Sequence, residues 1–277
     1  AFITIKREIT GVFPTFGSVG ATIMIAGTGY DAGESIRIGF GTTGSITTTY
    51  ASSMGSFSTT FTIDTQFTGT KTITAYGSQS HAEYYGYCRV MPKITLVSPA
   101  GGTVGTPVYV TGTGYGQGEQ VKLDFGTIMS KASSWVATNV GTFNGWFNAD
   151  DPQAYGTTTV VVTGITSGVG TISHFFIGVK LTDVVPSYGT VGQVVTIYGN
   201  GYNPSGNIHI TFGMSPTAAT TVTDAAGSFV VPVTVDVQAF GTTTVMATGV
   251  DIGASSTFSK FFIIKSNIIY YSPSEGS

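Results

Sequence analysis

The sequence is short of charge. Only 9% of its 277 residues are Asp, Glu, Lys or Arg, against about a quarter in an ordinary soluble domain. The formal net charge of −3 leaves no basic field for phosphate backbones or anionic headgroups, which argues against nucleic acid and membrane-surface partners. One cysteine, Cys88, excludes a disulfide within the chain and reads as a buried, inert thiol. No apolar run nears the eighteen or so residues of a membrane-spanning helix, so no membrane insertion is expected in this segment. Apolar spacing of three and four with caps is missing too, so no substantial helix is expected. Neither a Gly-x-Ser-x-Gly elbow, a phosphate-cradling Gly-Lys-Ser/Thr loop nor a Cys-x-x-Cys pair occurs. The expectation is therefore no catalytic residue, no cofactor and no enzyme.

What the chain has in abundance is glycine and apolar side chains: 39 glycines and 41% apolar residues, enough to bury a core in a turn-rich β-protein. It also has a period. Pro14-Thr15-Phe16-Gly17-Ser18-Val19-Gly20 returns as Pro99-Ala100-Gly101-Gly102-Thr103-Val104-Gly105 and as Pro186-Ser187-Tyr188-Gly189-Thr190-Val191-Gly192. The same offsets carry Gly27-Thr28-Gly29-Tyr30 onto Gly112-Thr113-Gly114-Tyr115 and Gly199-Asn200-Gly201-Tyr202. They also carry Phe40-Gly41 onto Phe125-Gly126 and Phe212-Gly213. Three motifs in one register define a repeat of about 86 residues.

Within each repeat the apolar residues alternate, as half-buried strands require. Ile23 and Ile25 become Val108 and Val110, then Val195 and Ile197. Ile36, Ile38 and Phe40 become Val121, Leu123 and Phe125, then Ile208, Ile210 and Phe212, with Arg37, Lys122 and His209 facing outward between them. A third strand carries Phe57, Phe61 and Ile63, then Phe143, Phe147 and Ala149, then Phe229, Val233 and Val235, and is closed by Asp64, Asp150 and Asp236. The predicted fold is all-β: three tandem immunoglobulin-like sandwiches over 7–91, 92–178 and 179–265.

The pattern Pro-x-x-Gly-x-x-Gly, then Gly-x-Gly-Tyr, then Phe-Gly resembles the IPT/TIG family of immunoglobulin-like domains across nearly the whole chain. The resemblance implies structural roles for these residues: a kinked first strand, a tight turn and a glycine pair ending the second strand. It also implies modules of cell-surface proteins or accessory domains of polysaccharide-active enzymes.

Residues 1–18 align with residues 260–277, Phe2 on Phe261, Ile5 on Ile264, Lys6 on Lys265 and Pro14 on Pro273. Residues 1–6 thus read as the last strand of a preceding repeat and 266–277 as the first strand of a following one. Two explanations stand: a window on a longer array, or ends that complete neighbouring copies by strand addition.

Candidates for chemistry are few. His81, His174 and His209 sit in three unlike contexts, and His81-Ala82-Glu83 lacks the further ligands a metal needs. The recurring aspartates read as turn caps, with calcium a minor alternative at Asp150-Asp151. Both tryptophans fall in the second repeat. Trp135 aligns with Thr49 and Thr221, and Trp146 with Thr60 and Pro232, so both indoles are expected to face outward, as an interface for a neighbouring chain or for a stacked sugar ring. The expected role is a structural extracellular protein whose partners are copies of itself in a surface filament, sheath or array. The alternatives are an adhesin or polysaccharide-binding stalk, with glycan as partner, or an accessory region of a larger secreted enzyme.

Overall fold

The computed structural model describes residues 8–149, 153–252, 254–255 and 260–266, and every regular element among them is a β-strand. Residues 1–6 and all but the first residue of 266–277, both expected to be strands of flanking repeats, and the Asp150-Asp151 pair lie outside the described residues. By contact the chain divides into two compact units. One comprises Ala1–Ser98, Tyr109–Phe147 and Thr159–Ser173; the other comprises Pro99–Val108, Asn148–Thr158 and His174–Ser277.

The first repeat contains β1 (Glu8–Phe13), β2 (Phe16–Ser18), β3 (Thr22–Thr28), β4 (Ser35–Phe40), β5 (Thr43–Tyr50), β6 (Phe57–Thr62), β7 (Gly69–Gly77) and β8 (Glu83–Met91). They form a three-stranded sheet, β1-β3-β6, and a five-stranded sheet, β2-β8-β7-β4-β5. The second repeat copies this plan with β9 (Lys93–Ser98), β10 (Gly101–Thr103), β11 (Pro107–Thr113), β12 (Gln120–Phe125), β13 (Ile128–Val136), β14 (Phe143–Asn148), β15 (Gly156–Gly164) and β16 (Gly170–Gly178). Its sheets are β14-β11-β9 and β10-β16-β15-β12-β13. The third repeat contains β17 (Lys180–Val185), β18 (Tyr188–Gly189), β19 (Val194–Asn200), β20 (Asn207–Phe212), β21 (Ser215–Val222), β22 (Phe229–Thr234), β23 (Gly241–Gly249), β24 (Ala254–Ser255) and β25 (Lys260–Ile264). Its sheets are β17-β19-β22 and β18-β25-β23-β20-β21, with β24 added on β23. The architecture is therefore a series of tandem immunoglobulin-like β-sandwich repeats.

The repeated motifs explain how one strand serves two sheets. In β1, β9 and β17 one threonine, Thr10, Thr95 or Thr182, is left out of the ladder as a bulge, which bends the strand. Pro14, Pro99 or Pro186 follows and has no N–H to extend the antiparallel ladder. The chain then crosses to the other sheet, where β2, β10 and β18 pair in parallel with β8, β16 and β25. Farther on, Gly41 has a φ of 55° and opens the two-residue turn from β4 to β5, a conformation that costs glycine least.

The alternating residues of β3, β4 and β6 meet between the sheets. Ile23, Ile25, Ile36 and Ile38 are fully buried with Phe40, Phe57, Phe61 and Ile63, and the third repeat assembles the corresponding set. Each such side chain contributes roughly 1.5–3 kcal/mol by leaving water. Cys88 belongs to this core at 1% exposure, and burial pushes its thiol pKa up, in keeping with an inert role.

At one end of each sandwich a tyrosine of the Gly-x-Gly-Tyr motif links the two sheets. Tyr30 donates its hydroxyl to the Ala75 carbonyl of β7 at 3.2 Å while its ring meets Phe57 of β6 edge-on. Tyr115 does the same with Val162 and Phe143, and Tyr202 with Ala247 and Phe229. Beside it, the buried Glu34 ties the β7–β8 turn to the start of β4. Its carboxylate accepts from the Asp31, Gln79 and Ser80 amides at 2.9, 3.0 and 2.8 Å and from the Ser80 hydroxyl at 2.7 Å. Glu119 repeats the device with Gly116 and Ser167.

Burial alone would raise the Glu34 pKa, but the bonds from Ser80, Asp31 and Gln79 outweigh it and hold the group at about 2, below the ordinary 4.5. The folded state thus takes up this proton less readily than the unfolded chain. Its stabilisation is complete above about pH 5 and is lost as pH falls toward 2. Glu34→Gln should lower stability at neutral pH by about 2 kcal/mol and flatten the acid-side loss in calorimetric melts. A variant melting with the parental pH profile would contradict this role.

Candidate functional site

The second repeat is where the three copies part company, and both tryptophans mark the difference. Trp135 lies on β13, paired with Val121, just as Thr49 pairs with Ile36 and Thr221 with Ile208. Directly paired residues share a face of the sheet. Since Val121, Ile36 and Ile208 are buried, Trp135 turns toward the core, and the expectation of an outward indole at this position is corrected. The threonines at the same place are half-buried residues on the inner margin of an edge strand, where a hydroxyl is tolerated.

Room for the indole comes from β14. Trp135 stacks on Phe143 with ring centroids 5.7 Å apart and planes at 17°, and it fills the space where a side chain on Gly145 would stand. The first and third repeats carry Thr59 and Val231 at the position of Gly145. A large–absent pair in one repeat thus replaces a medium–medium pair in the others, as close packing demands.

Trp146 stands outward, as expected, and is 64% exposed. Its ring packs on Tyr109 of β11 with centroids 4.6 Å apart and planes at 40°. The pair occupies the outer face of the three-stranded sheet β14-β11-β9. Asn144 is exposed on the same side of β14, and the Thr95 and Thr111 hydroxyls meet at 2.7 Å. The one charged residue in these three strands is Lys93. The two tryptophans therefore do not form one surface: Trp146 stands on the outer face, and Trp135 supports its strand from below.

The remaining candidates are placed separately. His81 occupies a turn with a φ of 52° and its Nδ1 lies 2.8 Å from the Tyr76 hydroxyl. His174 and His209 are exposed on outward positions of β16 and β20. Asp64 bonds to Thr43 and to Gln66, and Asp236 accepts the Val237 amide at 2.7 Å. Among the described residues no group of three or more His, Cys, Asp or Glu is close enough to hold a metal ion.

Two groups escaped sequence reasoning. One is the Glu34 and Glu119 pair, whose recurrence at the repeat offset was the available signal. The other is Lys71, buried on β7 with Nζ 3.1 Å from the centre of the Phe67 ring and its pKa pulled down by burial. Phe67 in turn lies against Gly141 of the second repeat, where a Cβ would come within 2.7 Å of its Cα. Lys71 serves this junction; at its place the other repeats carry Thr158 and Thr243, bonded to Gln153 and Gln238.

Residues 5–87, the first repeat, match the family of macroglobulin-like domains. No curated protein matches the chain. Among solved structures, a tetra-tandem repeat from the extending region of a large adhesion protein is 17% identical over 93% of this chain and 73% of that chain, with a TM-score of 0.30. An ICAM-5 ectodomain fragment is 15% identical over 93% and 74%, with a TM-score of 0.28. Invasin, a bacterial integrin-binding protein, is 15% identical over 94% and 60%, with a TM-score of 0.29.

Trp135→Thr should destabilise the second repeat by about 3 kcal/mol, as emptying an aromatic site does. Adding Gly145→Thr rebuilds the first repeat's pair and should return part of that loss, a coupling of about 1 kcal/mol or more. Unfolding followed by the fluorescence of Trp146 measures both; strictly additive losses would contradict the compensation.

Proposed function

We propose that the chain is a non-catalytic structural segment of an extracellular or cell-surface protein, built of IPT/TIG-type immunoglobulin-like repeats over 7–91, 92–178 and 179–265. In this reading copies of the chain pack side by side into a filament, sheath or array. The observation that carries it is a set of large apolar side chains on the outward face of the larger sheet of each repeat. Phe16, Tyr85 and Tyr87 stand exposed in the first repeat, Ile172 and Phe176 in the second, and Tyr188, Phe261 and Ile263 in the third. Arg89 and His174 interrupt the rows, but each repeat presents exposed apolar side chains on the same sheet face, which suits lateral contact between aligned copies. The low charge removes the repulsion that keeps isolated domains apart.

Direct joining of the repeats supports the same reading. One residue, Pro92, separates β8 from β9, and one, Val179, separates β16 from β17. The second glycine of the Gly-x-Gly-Tyr motif receives the incoming chain: a Cβ on Gly114 would lie 2.6 Å from the Met91 carbonyl, and one on Gly201 would lie 2.5 Å from that of Gly178. The Thr68 amide donates to the Tyr115 carbonyl at 3.0 Å across the first of these joints. Connections this short suit a structural tandem.

Immunogold labelling of intact source cells should decorate ordered surface fibres or sheets, and the purified chain should self-associate with rising concentration. Tyr87→Ser combined with Phe176→Ser and Phe261→Ser should weaken that association at least about tenfold, a loss of ~1.4 kcal/mol. Label confined to the cell interior, a chain that stays monomeric at every concentration, or hydrolysis of a glycan or peptide by it would overturn the proposal.

A further inference from the structure

The outer face of β14-β11-β9 does not share the periodicity of the apolar rows. At the positions of Tyr109 and Trp146, the first repeat has Met24 paired with Thr60 and the third has Thr196 paired with Pro232. Contacts between aligned copies of a periodic chain draw on features that recur; a feature present in one repeat of three suits a discrete ligand. The frame does not need this aromatic pair, since the other repeats form the same sheet without it.

The chemistry of the face narrows the ligand. Trp146 offers an exposed indole face steadied by Tyr109, so little side-chain freedom remains to be lost on binding. Around the rings stand groups that donate and accept hydrogen bonds without charge: the Asn144 amide, the Thr95 and Thr111 hydroxyls, and Ser98, which pairs with Tyr109. An aromatic plate with a neutral polar rim matches a pyranose ring, which presents C–H groups on its faces and hydroxyls at its edge. With Lys93 the one charge on the three strands, nothing here recognises a carboxylate, sulfate or phosphate.

We infer that the second repeat binds a neutral polysaccharide on this face, with a sugar ring stacked on Trp146 beside Tyr109 and its hydroxyls bonded to Asn144 and the Thr95–Thr111 pair. The site is independent of the proposed assembly surface, which lies on the larger sheet of each repeat. Trp135, packed against Gly145 beneath the same strand, is a positioning residue for it.

The test uses the full chain and a panel of neutral polysaccharides: mixed-linkage β-glucan and mannan in affinity gels, and cellulose and chitin particles in sedimentation. At least one should retain the chain, at high salt as at low, and should shift the Trp146 emission. Trp146→Ala and Tyr109→Ala, whose side chains lie outside the core, should each weaken retention about tenfold with unchanged melting. Tyr87→Ser, on the larger sheet of the first repeat, should leave retention intact. Failure of every polysaccharide to bind, retention that survives Trp146→Ala, or loss of self-association rather than retention in that variant would overturn the inference, the last by assigning the face to a second copy. Assembly and its own variants are measured separately, so either reading can fail without the other.

Discussion

One tyrosine per repeat holds the two sheets of each sandwich together at the end where the chain enters. Tyr30, Tyr115 and Tyr202 are each nearly inaccessible, with the ring against a phenylalanine of one sheet and the hydroxyl on a carbonyl of the other. Their backbone amides bond to Gly55, Gly141 and Gly227, whose Cβ atoms would collide with the tyrosine carbonyls. A buried hydroxyl without its acceptor costs roughly 1–3 kcal/mol, so the ring position fixes the neighbouring turns. From it follow the glycines that flank the ring, the close approach of the preceding strand to Gly114 and Gly201, and the short joints between repeats.

That dependence explains why much of the fold was legible in the sequence. The tyrosine and its glycines form a motif with fixed spacing, and β3, β4 and β6 alternate cleanly because one face of each is dry. The IPT/TIG resemblance pointed to a kinked first strand, and the structure gives the kink a cause in the unpaired threonine and the proline after it.

What escaped the sequence lies at the margins of the sandwich. Trp135 was misplaced because its counterparts are threonines, and a threonine on the inner side of an edge strand looks outward by polarity alone. Its compensating partner, Gly145, is ten residues along the chain on another strand, a relation that periodicity cannot express. Lys71 and Glu34 are charged residues in buried positions, made tolerable by an aromatic ring and by four hydrogen bonds that only the folded chain brings together. The larger sheet of each repeat carries exposed apolar side chains, whereas the aromatic pair of Trp146 and Tyr109 occurs in one repeat, above a core altered to hold its strand.

The central claim is that one tyrosine-centred frame is built three times. Native-state hydrogen exchange on the whole chain tests it most directly, because local opening reads out each repeat separately. The amides of Tyr30, Tyr115 and Tyr202 should rank among the slowest to exchange in their own repeats, together with those of β7, β15 and β23. Exchange of the three tyrosine amides at the rate of exposed turns, while the neighbouring strands stay protected, would contradict the account.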